Sequence, residues 1–239
     1  EPRKGNPMSI YESGSYLDKN PDWHDEDGAW KAERLSEVLA NNPLDIKSVA
    51  DIGCGTGRVL ATLLPKLGDD VTGTGFDIAP AAIEMAQGQA SDRLSYKVAD
   101  LLEEETEVFD LHLATDVFEH VPDYLGFLDA LRHKARYHAF HIPLDMNAIH
   151  VLADYQTKSR AGAGHLHYFS KSSALLSLEH AGYEVSDWVY TPVFKTAKAR
   201  RSLLKRIFEV PRTIGMAVAP DFSVRLLGGC SVMALTKSR

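Results

Sequence analysis

Cysteine is nearly missing from this 239-residue chain: Cys54 and Cys230 are its two thiols. Neither their number nor their spacing supports a disulfide framework or a cysteine-bound zinc. A reducing cytoplasm is therefore the expected location. Long apolar runs are missing too. Nothing approaches the ~18 consecutive apolar residues that span a bilayer, and no charged-then-apolar leader opens the sequence. A basic excess is also lacking. Lys and Arg total 26 against 33 Asp and Glu, a formal charge of −7, which argues against a general nucleic-acid binder because that role must neutralise phosphates. Internal repeats and low-complexity tracts are absent as well. What remains is an ordinary globular composition on a chain long enough to bury one large core.

The periodicity alternates between strand and helix. Strands are expected at 47–52, 71–76, 95–99, 109–115, 137–142, 184–190 and 230–236, with helices between most of them. Pro80 opens one helix and Pro122 another. Ser170 is placed to cap a helix that Gly182 stops. Residues 28–40 form an earlier helix, with Trp30, Leu35, Val38 and Leu39 on one face. Such a pattern predicts a mostly parallel sheet between helical layers, with ligands at the carboxyl ends of its strands. Two stretches interrupt it. Residues 145–169 form a long connection, and 191–229 hold a basic segment, "KTAKARRSLLKRIFEV".

The stretch "VADIGCGTGRVL" at 49–60 carries the first functional signal. Gly53, Gly55 and Gly57 allow a tight turn and a close backbone approach to a ligand. Asp77 follows the next strand and could accept both hydroxyls of a ribose. The spacing is GxGxG, not the GxGxxG of dinucleotide binders. Asp51 stands directly before the glycines, where it would repel a pyrophosphate and attract a cationic amino acid. A third acid, Asp100, ends a third strand.

At this point the sequence resembles the class I S-adenosylmethionine-dependent methyltransferases of the small-molecule branch, including enzymes of the ubiquinone-biosynthesis type. The resemblance rests on "VADIGCGTG", "TGFDIAPAAIEMA", "YKVADLLEE" and "FDLHLATDVFEHVPDYLGFLDALR", in order, with "GHLHYFSKSSALLSLEHAGYEVSDWVY" behind them. It implies a Rossmann-like three-layer α/β sandwich whose seven-stranded, mostly parallel sheet has an antiparallel last strand. An N-terminal arm and helix, 1–46, would cover the cofactor site. Residues 47–239 would be the methyltransferase domain, with a basic helical insertion at about 191–229. The family's "KPGG" turn is replaced here by "LRHKARYHAFHIPLD", which puts the local geometry before the fifth strand in question.

By the same resemblance, Asp51, Gly53, Cys54, Gly55 and Gly57 would hold the methionine part of the cofactor. Asp77 would take the ribose hydroxyls with Ile78 against the adenine. Asp100 would take the adenine amino group with Leu101 on the ring. Thr115 and Asp116 would border the transfer site. From the arm and first helix, Tyr16 or Arg34 could bind the cofactor carboxylate. The implied reaction is methyl transfer to oxygen or nitrogen of a small molecule, releasing S-adenosylhomocysteine. The alternatives are a cofactor-binding sensor or partner subunit without turnover, and a nicotinamide-dependent oxidoreductase, against which Asp51 and the glycine spacing count.

Methyl transfer needs in-line positioning and, for a protonated acceptor, a base. His120, His141 and His165 are the candidates, while His112 reads as structural. No metal ligands are assigned. A minority reading follows from the D-x-x-E-H spacing of Asp116, Glu119 and His120, completed by His165 or His167. It resembles the metal-dependent quinone and small-RNA terminal methyltransferases. Partners are expected to be limited to a small-molecule acceptor and a second copy in a homodimer, with no nucleic acid and no stable membrane insertion.

Overall fold

The computed structural model describes residues 25–105, 108–196 and 207–239. Its strands are β1 (Ser48–Ile52), β2 (Thr72–Asp77), β3 (Leu94–Val98), β4 (Phe109–Thr115), β5 (Ala135–Pro143), β6 (Tyr183–Thr191) and β7 (Ser231–Ser238). They build one seven-stranded sheet in the order β3-β2-β1-β4-β5-β7-β6. Pairing is parallel from β3 across to β5, and β7 runs antiparallel between β5 and β6. This is the Rossmann-like methyltransferase fold expected above. The order of strands reverses at β1, which has β2 on one side and β4 on the other. That reversal opens a crevice at the carboxyl ends of β1 and β4.

One helical layer holds α1 (Asp25–Asn41), α2 (Arg58–Leu67) and α3 (Pro80–Ala86). Their Leu35, Val38, Leu60, Leu63 and Ile83 pack on Val49, Leu111 and Leu113. The opposite layer holds α4 (Tyr124–Leu131) and α7 (Lys171–His180), whose Leu128, Leu131, Ala174 and Leu178 cover Ala50, Ala114, Phe140 and Ile142. The strands thus send alternate residues to two separate cores, as a two-residue period requires. Helix α1 shares the first core: Ala32, Leu35 and Val38 are fully buried. The arm before it, with Tyr16, lies outside the described residues.

Local signals act much as chemistry dictates. Ser170 accepts from the Ser173 N–H in a reciprocal capping box at the start of α7. Gly182, with φ +89°, stops that helix. Pro80 is in the first turn of α3. Two expectations need correction. Pro122 does not open α4; Asp123 caps it, accepting the Gly126 N–H at 3.0 Å. The connection after β5 is not a plain loop, because it holds α5 (Ala148–Leu152) and α6 (Tyr155–Gly162). The insertion after β6 holds α8 (Glu209–Val218) and α9 (Pro220–Leu227), while most of its basic run, 197–206, lies outside the described residues. The missing "KPGG" is replaced by a short turn in which the Lys134 N–H donates to the Leu131 carbonyl at 3.0 Å.

Candidate active site

The cofactor side is built at the ends of β1, β2 and β3. Gly55 and Gly57 have φ of +54° and +77°, a region that side-chain-bearing residues enter at a cost. Gly57 is also packed tight: a Cβ there would stand 2.5 Å from the Tyr96 ring, whose hydroxyl donates to the Gly57 carbonyl at 3.1 Å. At Gly55 a Cβ would meet nothing within 4 Å. The turn is therefore held from below and open above. Gly53 sits against Val117. Cys54 is buried beneath the turn, and burial pushes its thiol pKa well up.

Asp77, at the end of β2, ties the turn down. It accepts the Gly55 N–H on one oxygen and the Ala79 N–H on the other, both at 2.9 Å. Burial raises its pKa despite these bonds. Asp51 differs. It is fully buried, and neither oxygen has a hydrogen-bond partner among the described residues. Burial, reinforced by the nearby Asp77 charge and opposed by Lys31, pushes its pKa up to about 8. Ile78, directly after Asp77, is 42% exposed. Asp100 is exposed and accepts the Leu102 N–H at 2.9 Å. The Leu101 side chain is fully buried and belongs to the second core with Phe76, so its packing is already committed.

A second group gathers where β4 ends. Thr115 pairs with His141 in the β4–β5 register. Asp116 then turns into the left-handed region, φ +57°, while its N–H donates to the His141 carbonyl at 2.9 Å. Its carboxylate meets His141 Nδ1 at 2.6 Å and Lys31 Nζ at 2.7 Å. His141 Nε2 lies 2.9 Å from the Thr191 hydroxyl. One proton satisfies both histidine contacts: Nδ1–H donates to Asp116, and Nε2 accepts from Thr191. Burial alone would raise Asp116, but Lys31 and His141 outweigh it and hold the carboxyl well below its usual range. His141 is itself buried, with Trp30 edge-on to its ring at 6.2 Å. Both of its nitrogens have partners, and through Nδ1 it orients Asp116.

The third group lies on the short turn Phe118–His120. The N–H groups of Leu166 and His167 donate to the Glu119 carbonyl at 2.8 and 3.0 Å. These bonds draw the segment before α7 against the turn and bring His165 to His120, with ring centroids 4.8 Å apart. Glu119, His120 and His165 each offer one ligand atom, all within 4.8 Å of one another. Glu119 is fully buried, with no hydrogen-bond partner on either oxygen among the described residues. Burial and the Asp116 charge push its pKa well up. His165 is oriented through Nδ1, which lies 3.1 Å from Asp145 Oδ2. His167 turns away and donates from Nε2 to the Val121 carbonyl at 2.9 Å. Of the residues in the D-x-x-E-H spacing, Asp116 stands apart from this cluster because Lys31 and His141 occupy its oxygens.

Residues 23–187 match a known family, the methyltransferase domain. This chain belongs to the S-adenosylmethionine-dependent methyltransferase family. The methyltransferase is 34% identical over 106 residues to a ubiquinone biosynthesis O-methyltransferase of Xylella fastidiosa, a match that covers 42% of each chain. It thus spans less than half the length of that curated relative. Its fold superposes on magnesium protoporphyrin IX methyltransferase of Synechocystis with bound S-adenosylhomocysteine, at a TM-score of 0.66 and 13% identity over 97% of this chain and 99% of that one. An N-methyltransferase of Bradyrhizobium japonicum, also with S-adenosylhomocysteine, gives a TM-score of 0.61 and 16% identity over 96% and 98% of the two chains. Binding of this cofactor is typical of the family.

Within the methyltransferase, sequence reasoning gave Lys31, which pairs with Asp116, no role of its own. It singled out Arg34, one turn along α1, but that guanidinium pairs with Glu37 at 2.6 Å. The signal was available, since residues three apart share a helix face. What the sequence could not show was which of the two faces the crevice. Asp145 was missed as well, because its partners His150 and His165 come from elements that only the fold brings together.

Proposed function

We propose that this chain transfers the methyl group of S-adenosylmethionine to an oxygen or nitrogen of a small molecule. The observation that carries the reading is Asp51. A sealed carboxylate without a partner is costly, and here it lies at the foot of a turn whose upper side is open at Gly55. A ligand ammonium over Gly55 would supply the missing partner. Asp77 retains a lone pair on each oxygen for ribose hydroxyls. Asp100 ends the neighbouring strand, in reach of an adenine amino group, with Ile78 exposed between them. Thr115 and Asp116 border the transfer side. Bound S-adenosylmethionine supplies an electrophilic methyl on sulfur, and the protein's share is to align the acceptor and exclude water.

On the acceptor side, His120 or His165 would remove a proton, with Asp145 holding the His165 ring through Nδ1. The unpartnered oxygens of Glu119 favour a second version of the same site. One carboxylate and two imidazoles suit a divalent ion, and the Asp145–His165 contact is the outer bond that usually orients such a ligand. A divalent ion held there would lower the pKa of an acceptor hydroxyl.

The test is production of S-adenosylhomocysteine from labelled cofactor across a panel of hydroxyl and amine acceptors. Oxygen acceptors come first, because the curated relative is an O-methyltransferase. Turnover that falls about 100-fold or more in His165→Ala supports the site. Loss with EDTA and recovery with added divalent metal would choose the metal version, whereas indifference to EDTA would choose the histidine base. Cofactor binding with no turnover on any acceptor would replace the proposal with a non-catalytic binding protein.

A further inference from the structure

Helix α8 has its amphipathic character turned inside out. Ile207, just before it, and Val210, Ile214 and Val218 within it follow a 3-4-4 spacing, which is one face of a helix. Each is 60–79% exposed. The buried side of α8 carries Arg212, which donates from Nε and Nη2 to the Leu227 carbonyl at 3.1 and 2.7 Å. The neighbouring α9 continues the apolar surface with Phe222 and Leu226, and α5 adds Val151 and Leu152, all exposed. A patch drawn from three adjoining elements is more than the scattered apolar residues of an ordinary surface.

Charge says what covers it. Exposed Arg225 lies on α9 and exposed Lys195 follows β6. The sequence leading into α8 adds Lys198, Arg200, Arg201, Lys205 and Arg206, with no acid between 195 and 208. All this sits on a chain whose formal charge is −7. An apolar stripe with exposed Lys195 and Arg225 on the neighbouring elements, preceded in sequence by a basic run, matches an anionic lipid surface, whose headgroups take the charges while the acyl boundary takes the side chains.

We propose that the face formed by α8, α9 and α5 docks this protein peripherally on an anionic phospholipid bilayer. Among the described residues no helix is long and apolar enough to cross a membrane, so the contact is one of surface adsorption. Position gives it a use. Helices α5 and α8–α9 both leave the carboxyl edge of the sheet, after β5 and β6, the edge on which Glu119 and His165 are gathered. The proposal stands apart from the choice of acceptor and can fail without it.

The experiment is co-sedimentation with phosphatidylcholine vesicles with and without phosphatidylglycerol, at low and high salt. Wild type should partition roughly tenfold more onto the anionic vesicles, and salt should reduce the difference. The pair Ile214→Asp and Val218→Asp, and separately Phe222→Ser, should abolish partition while titration with S-adenosylhomocysteine stays unchanged, which shows that the fold is intact. Equal partition onto neutral and anionic vesicles would overturn the proposal, as would unaltered partition of both variants. So would a dimer in light scattering that the same variants dissociate, with no vesicle binding: that result gives the face to a second copy.

Discussion

Asp51 is expected to trade stability for binding. Its folded-state pKa, about 8, lies above its ordinary value of 3.8, so between those values the native state holds a proton that the unfolded chain gives up. Its contribution to stability therefore falls as pH rises through this window, and the full cost is present above about pH 8. Asp51→Asn should melt higher than wild type, with a larger gain at pH 9 than at pH 6. The same variant should bind S-adenosylhomocysteine roughly 30-fold more weakly by calorimetry, the scale of a lost charged hydrogen bond. A variant that gains no stability and loses no affinity would remove Asp51 from the proposed site. Lys31 behaves differently. Lys31→Met leaves Asp116 with His141 as its remaining side-chain partner among the described residues. Because the Asp116 side chain stays 30% exposed, the cost should be about 2 kcal/mol, below that of a sealed pair. In a chain of this size that is a fall in Tm of ~6 °C.

At the scale of elements, the glycine turn separates two requirements that the GxGxG spacing presents as one. Gly57→Ala drives a Cβ into the Tyr96 ring, so it should lower Tm markedly and lose cofactor binding with it. Gly55→Ala has room for its Cβ and faces mainly the left-handed backbone cost of ~1 kcal/mol. It should stay folded by circular dichroism yet bind S-adenosylhomocysteine at least tenfold less, because the added methyl occupies the side open to ligand. Much of this was legible beforehand. The turn, its three acids, the Ser170 cap and the Gly182 stop announce themselves in local chemistry. What escaped was decided by long-range contacts. Lys31 was overshadowed by Arg34 because only packing selects a helix face. The contact of His141 with Thr191, fifty residues on, is invisible to local reading. Helices α5 and α6 were read as one long connection because helices of five and eight residues are too short to show a period.

For the whole molecule, the cofactor should act as a stabilising ligand. Saturation to about 100 times Kd adds ~2.7 kcal/mol, which in a domain of this size raises Tm by roughly 5–10 °C. At the same cofactor concentration the shift should fall to about half or less in Gly55→Ala and to about a third in Asp51→Asn, and a flat melting curve across cofactor concentrations would deny the site altogether. The order of strands has a consequence of another kind. Strand β7 comes after every other strand in sequence, yet it lies between β5 and β6; Tyr137 on β5 pairs with Lys237. Until that segment has emerged from the ribosome, β5 presents an open flank and β6 has no neighbour to join. The left half of the sheet, β3 to β4, can assemble during synthesis from short-range crossovers. The β5–β7–β6 half must wait for a loop of about a hundred residues to close. In the interval the nascent chain carries two unpaired strand borders, which makes that half of the sheet the part most dependent on chaperones.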